Sequence, residues 1–494
     1  MTTTSTPRRT LITGRWVVGS DGPSHYLLEH GEVVFEGNSI LFVGKGYNGA
    51  VDERIDAGNA VISPGFIDLD ALFDLDSTVL GFDNQPGWKK GRVWAADYYD
   101  AGARDVYSPD EEAFSHEYAM CQLLLNGITT ALPIRSILYR EWAETFEENA
   151  RAAEIAARLG IRIYLGPSYR TGVPVVEPDG SIVVRWNAER GMRGLDDAVR
   201  FVREFDGFAD GLIRGFLQPD RIEGCTDELL LATKDAGAEL GCPVRLHCCQ
   251  GEVEVQLVQE RWGKSSLTVL RDLGFLEIGP LLPHGTYLGG AEPTPAKIDE
   301  EIGWLAESGS SLVHCPLVSS RHGDVLKSFG TVRERGVKLG MGTDTFPPDM
   351  FLNMQVGVIT ARLVEGTLRT SAADYFTATT IGGADALGRD DLGRLMPGAK
   401  ADMIVVDLDD PGLGQFFDPI QSLVLSGSGR NVRTVIVNGR IVVKDREIPG
   451  IDMAAMHERS QKQFQMLIES YPERTWNHPP VEEIVVPAFP IRGA

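Results

Sequence analysis

The sequence predicts an α/β fold, a (β/α)8 TIM barrel with a discontinuous β-sandwich domain built from both chain ends. Three observations predict it. Apolar strands alternate with amphipathic helices from residue 61 to about 390, the mark of parallel β/α units. Strand-like segments without helical periodicity flank this region on both sides. Titratable residues stand at the C-terminal ends of several strands, where a barrel builds its site. A doubly wound sheet is the competing fold. It normally carries an early glycine-rich phosphate turn, and no GxGxxG is present.

The elements follow in order. TLITGRWVVG and GEVVFEGNSILFVG read as short strands with Gly and Asn at the turns. Eight barrel strands are then predicted: VISPGFIDL (61–69), GITTALPI (127–134), IRIYLGP (161–167), GLIRGFLQP (211–219), CPVRLHC (242–248), PLLPHG (280–285), SSLVHCP (310–316) and GVKLGMGTD (336–344). Helical stretches such as EEAFSHEYAMCQLLLNG and AETFEENARAAEIAARLG separate them, several ending in Gly, the expected C-terminal stop. From 396 strand character returns in PGAKADMIVVDLD and NVRTVIVNGRIVV. The expected domains are therefore 1–63 with 391–450 as the composite β domain, 64–390 as the barrel, and 451–494 as a C-terminal helix and tail. That helix carries Met453, Met456, Phe464, Leu467 and Tyr471 at three-to-four spacing, a packing face that could also dock a neighbouring subunit.

Composition limits the partners. With 47 Lys and Arg against 70 Asp and Glu, the net charge of −23 disfavours nucleic acid and anionic membranes, which need clustered cations. No apolar run approaches the roughly 18 residues of a membrane span. The N-terminus, MTTTSTPRRT, lacks a long apolar segment before a cleavage site, so no secretory signal is expected. Six Cys occur at 121, 225, 242, 248, 249 and 315, without a CxxC pair. This is the usage of free thiols in a reducing cytoplasm. A small molecule is the expected partner.

Strand ends carry the candidate chemistry. Strand 1 ends in Asp68 and Asp70, strand 5 in His247, strand 6 in His284, strand 7 in His314 and strand 8 in Asp344. Of nine His, three fall at the ends of consecutive strands beside an acid, which points to one shared site.

PGFID (64–68), LLLNGITT (123–130), LLPHG (281–285), LVHCP (312–316), GMGTDT (341–345) and the long block TATTIGGADALGR…LGRLMPGAKADMIVVD (377–407) together resemble the amidohydrolase superfamily. The likeness is to its branch of triazine hydrolases, chlorohydrolases and aminohydrolases, and it runs from about residue 10 to 445. It implies a barrel with a composite β-sandwich, commonly in dimers or larger homo-oligomers. It also implies one divalent metal, zinc or sometimes iron, which activates water for attack on an electrophilic carbon. On this sequence the resemblance makes His247 and Asp344 metal ligands and His284 the proton shuttle, with Asp344 sharing both tasks.

Two departures alter that expectation. The family's His-x-His on strand 1 is Asp70-x-Leu72 here. Carboxylate can replace imidazole on Zn²⁺, Fe²⁺, Mn²⁺ or Co²⁺, whereas leucine cannot, so the expected ligands are Asp70, His247 and Asp344, with His284 as a spare fourth. Further, the Glu three residues after the strand 5 His is Gln250, which cannot donate a proton to a ring nitrogen but can orient a carbonyl. Hydrolysis of an amide, urea or carbamate C–N bond is therefore expected ahead of the alternatives. Those are deamination or dechlorination of a heterocycle, and a metal-free barrel that only binds a ligand.

Other residues have a functional and a structural reading. Cys249 reads as barrel filling rather than a nucleophile, and His322 as a loop residue. His314, Trp88 in the long stretch 80–94, and Asp349 in FPPDM are candidate substrate contacts. Asp74 and Asp76 read as solvated or capping acids, and are the nearest spare oxygen donors to strand 1.

Overall fold

Pro64 and Gly65 divide the apolar run 61–69 between two sheets. In the computed structural model of the protein, which describes residues 8–73, 93–135, 140–344 and 347–492, Ala60–Pro64 pairs with Arg9–Ser20 and with Met403–Asp407. Phe66–Leu72 instead pairs in parallel with Ile128–Ile134. Gly is required at 65 because a Cβ there would lie 2.1 Å from the Thr129 hydroxyl. Strand 1 of the barrel therefore starts at Phe66, five residues later than the sequence pattern places it.

The barrel is built from two parallel ladders. Phe66–Leu72, Ile128–Ile134, Arg162–Leu165 and Ile213–Gly215 form one. Leu281–Pro283, Ser311–His314 and Lys338–Met341 form the other. The fifth strand is an extended segment joining them through single parallel bridges, Leu217 to Val244 and Arg245 to Leu281. Closure falls between strands 8 and 1. Asp344 N–H donates to the Asp70 carbonyl at 2.7 Å, and Asp68 accepts from Thr343 N–H at 3.0 Å and its hydroxyl at 2.5 Å. Asp68 is thus a staple that closes the barrel.

Helix starts are specified locally and fix which end of the barrel carries the chemistry. Ser108 and Thr145 each form a capping box with an acid three residues on, Glu111 and Glu148, opening Pro109–Leu125 and Phe146–Leu159. Because these helices return antiparallel to the strands, their N-termini and acids lie at the same end as the strands' C-termini.

The β domain joins both chain ends in one eight-stranded sheet. Period-two alternation divides its side chains between two cores. Met403 and Val405 pack with Ile12, Val17, Ile62 and Ile436, whereas Ile404 and Val406 pack with the barrel side. A hairpin of Gly172–Val176 and Ile182–Trp186 adds a small sheet after barrel strand 3, with Trp94–Ala95 as its third strand. The last long helix, Met453–Arg474, packs within the chain. Leu467 and Tyr471 are buried against Tyr107 and Ile484, with Phe464 beside them, and Met453 and Met456 lie against the main core. Among the described residues no helix is long and apolar enough to cross a membrane.

Candidate active site and metal centre

Asp70, His247, His284 and Asp344 converge at the C-terminal mouth of the barrel. His247 Nε2 lies 3.2 Å from Asp70 Oδ1, and His284 Nε2 lies 3.9 Å from Asp70 Oδ2 and 3.7 Å from Asp344 Oδ2. The two imidazoles stack with centroids 5.6 Å apart. Backbone strain gathers here: Cys249, His284 and Asp344 hold φ of 57°, 79° and 37°, a region that non-glycine residues occupy at a cost of about 1–3 kcal/mol. Those turns aim the strand-end side chains into the mouth.

The hydrogen bonds decide what His247 can do. Its Nδ1 lies 2.7 Å from the Asp220 carbonyl oxygen, which can only accept, so Nδ1 carries the proton. Nε2 is then the ring atom left to face a carboxylate oxygen at 3.2 Å. Two acceptors facing each other at that distance need a cation between them, either a proton or a metal ion. Asp70 Oδ1 and His284 Nε2 are buried and make no hydrogen bond. Ligand atoms of Asp70, His247 and His284 lie within 4.8 Å of one another. One carboxylate and two imidazoles fit a divalent transition metal, with Asp344 at the open side. His284 thus stands nearer the shared point than the expected ligand Asp344, because the Asp344 side chain remains 12% exposed at the rim while that of His284 is 1% exposed.

Sequence reasoning missed Arg245, which anchors this centre. It is fully buried inside the barrel, 3.0 Å from Asp70 Oδ1, and donates to the carbonyls of Leu69 at 3.1 Å and Leu132 at 2.5 Å and to Gln218 Oε1 at 2.6 Å. The signal was present in CPVRLHC: residues 245 and 247 share a strand face, so an Arg two before the inward His also points inward. Burial would raise the Asp70 carboxyl, but the His247 and Arg245 charges outweigh it and hold it well below the carboxylate range. Burial, and then the Asp70 charge, push Asp344 well above it. Burial drives His284 well below the ordinary imidazole value and His314 down to about 3, so both rings are neutral.

The other predicted residues are placed differently. His314 is buried between Phe329 and Tyr375, with ring centroids 5.6 Å and 6.0 Å away, and its Nδ1 makes no hydrogen bond. Asp349, a candidate substrate contact in the sequence, has a structural role here. It caps the helix Met350–Glu365, accepting from Leu352 N–H at 3.2 Å and from Gly429 N–H at 2.8 Å. Gln250 is half-buried and its carbonyl oxygen accepts from Arg221. Cys249 is a free, buried thiol pushed well above the ordinary value by its hydrogen bond with the Cys248 thiol and by burial, so it fills space. His322 caps a short helix beyond strand 7. Trp88, Asp74 and Asp76 lie outside the described residues. A second cluster of metal-binding types, Glu112, His116 and Glu148, already holds cations, since Arg135 pairs with Glu112 and Arg140 Nη2 lies 2.5 Å from Glu148.

Residues 61–442 match the amidohydrolase family along the barrel and into the closing β strands. The chain belongs to that family. This amidohydrolase is accordingly a hydrolase acting on C–N bonds other than peptide bonds. It is 28% identical over 448 residues to a 5'-deoxyadenosine deaminase of Methanosarcina mazei, spanning 89% of this chain and 94% of that one. It is also 28% identical to a 5-methylthioadenosine/S-adenosylhomocysteine deaminase of Halobacterium salinarum, over 88% and 93% of the two chains. A triazine hydrolase variant shares the fold at a TM-score of 0.77 and 21% identity, covering 92% of this chain and 99% of that one. A zinc-bound adenosine deaminase of Xanthomonas campestris does so at 0.75 and 20%, covering 92% and 98%.

Proposed function

We propose that this amidohydrolase is a metal-dependent deaminase of an amino-substituted purine nucleoside of the 5'-deoxyadenosine or methylthioadenosine kind. The observation that carries the reading is the convergence of Asp70, His247 and His284 on one buried point with Asp344 at its rim. The full-length similarity to nucleoside deaminases supports ring deamination over the amide or urea cleavage that Gln250 favours in the sequence. Asp70, His247 and His284 would hold the ion, with Asp344 beside them, and zinc is favoured because structures of the same fold carry it. When bound, the ion lowers the pKa of water towards neutrality. The reaction balances simply: water oxygen bonds to the carbon bearing the amino group and the C=N pair moves onto the ring nitrogen. That nitrogen takes one proton of the water and the departing ammonia takes the other. Asp344, kept protonatable by burial and by Asp70, serves as the proton carrier at the rim.

Ammonia release tests the reading. Purified protein supplied with one equivalent of zinc is offered 5'-deoxyadenosine, methylthioadenosine, S-adenosylhomocysteine and adenosine, with phenylureas and aryl amides alongside. Turnover of a nucleoside to its inosine analogue is the expected result. Hydrolysis of ureas or amides with no ammonia from any nucleoside would overturn the assignment.

A further inference from the structure

We infer that Arg221 is a positioning residue that locks the Gln250 amide with its NH2 group turned towards the ring nitrogen of the substrate. The inference deepens the deaminase reading and rests on it for the identity of that nitrogen. An arginine side chain has donors only, so the group of Gln250 that meets Arg221 must be the amide oxygen. The Nε2 group then points away from Arg221 and makes no hydrogen bond among the described residues. Both side chains are half-buried at the mouth.

The surrounding structure holds this pair in place. Arg221 is bridged in parallel register to His247, so it is tied to the strand that presents the metal centre. The Gln250 main chain is fixed separately, its N–H donating to Glu254 Oε2 at 2.8 Å while Cys249 N–H and the Ser266 hydroxyl donate to Oε1 at 2.6 Å and 2.5 Å. Backbone and side chain are therefore both held before substrate arrives. The Arg221 charge reaches Asp344 and His284, and the acids acting on it are Asp220, Glu223, Asp344 and Glu254. The guanidinium polarises the amide it touches.

This answers how a ring could be deaminated without an acid at 250. Negative charge develops on the ring nitrogen as the C=N pair moves onto it. A pre-oriented N–H donor, polarised by a guanidinium on the other end of the same amide, stabilises that charge while the proton comes from the attacking water.

A double-mutant cycle separates positioning from structural support. With any nucleoside the enzyme turns over, Arg221→Met and Gln250→Ala should each lower kcat/KM about tenfold, the worth of one hydrogen bond, chiefly in kcat. The double variant should lose no more than Gln250→Ala alone, and Arg221→Lys should recover part of the loss. Losses that multiply to about a hundredfold in the double variant would overturn the inference. If Arg221→Met does not fold, Arg221→Gln makes the same comparison. A second measurement needs no substrate. The Gln250 side-chain amide protons, assigned in selectively 15N-labelled protein by their absence from Gln250→Ala, should exchange more slowly in the wild type than in Arg221→Met. Equal exchange overturns the locking. Absence of ammonia release with slow, Arg221-dependent exchange would instead count against the deaminase reading alone.

Discussion

Replacing Arg245 by Leu removes one half of an ion pair whose two side chains are both 0% exposed. Removing one partner of such a pair costs about 3–5 kcal/mol, because the remaining charge stays buried without compensation. The Leu69 and Leu132 carbonyls and Gln218 also lose their guanidinium donor, at about 1 kcal/mol each where no other partner replaces it. These losses overlap, so a total of about 4–6 kcal/mol is expected, a large share of a typical 5–15 kcal/mol stability. Arg245→Lys, which keeps the charge but not the fork of donors, should cost about half as much. Urea titration followed by circular dichroism measures both. A loss under about 1 kcal/mol for Arg245→Leu would refute the claim that this arginine neutralises Asp70. Zinc supplies a second check. If Asp70 is a ligand, the ion replaces the missing positive charge, and added zinc should stabilise the Leu variant more than the wild type. Equal stabilisation would exclude Asp70 from the metal centre.

Other expectations follow from the same geometry. Burial pushes His25 and His116 down to about 4 and His314 down to about 3. Since these folded values lie below the unfolded one, the stability is complete above pH ~6.5 and drains as pH falls towards about 4, by up to ~3 kcal/mol for His25. His25→Gln should flatten that acid limb in a pH series of urea midpoints. Gly342→Ala places a Cβ 2.5 Å from Asp70 Cβ and 3.0 Å from Cys315 Sγ, so it should displace Asp70 and reduce zinc retained after dialysis, measured by elemental analysis. Asp344→Asn keeps shape but not proton transfer, and should lower kcat about a thousandfold with a small change in KM. Asp349→Ala should cost about 1 kcal/mol as a lost helix cap and leave kcat unchanged, separating its capping role from a substrate contact.

How far the site could be read from sequence depends on which periodicity or spacing carried each residue. His247, His284 and Asp344 were legible because parallel strands end at one face, and a titratable group at each end is visible in a linear string. Asp70 was legible for the same reason, even with the family's histidines replaced. Asp68, two residues earlier on the same strand, looked equivalent; only barrel closure shows that its oxygens are spent on Thr343. Asp349 was ambiguous because a residue just beyond a strand end serves equally as a substrate contact or as the first cap of the next helix. Its partner Gly429 lies 80 residues away, beyond any local pattern.

The sequence by itself determined the architecture. Alternating strands and helices, caps at helix starts and the period-two patterning of the terminal strands are local properties, and each persists in the fold. Tertiary structure alone decided the electrostatics. Whether Asp70 is a free carboxylate, a metal ligand or an ion-pair partner depends on Arg245, 175 residues along the chain. Whether Gln250 presents an oxygen or an NH2 depends on Arg221, bonded to it across 29 residues. Charges and hydrogen bonds act through space at a few ångströms, and that distance is set only when the barrel closes.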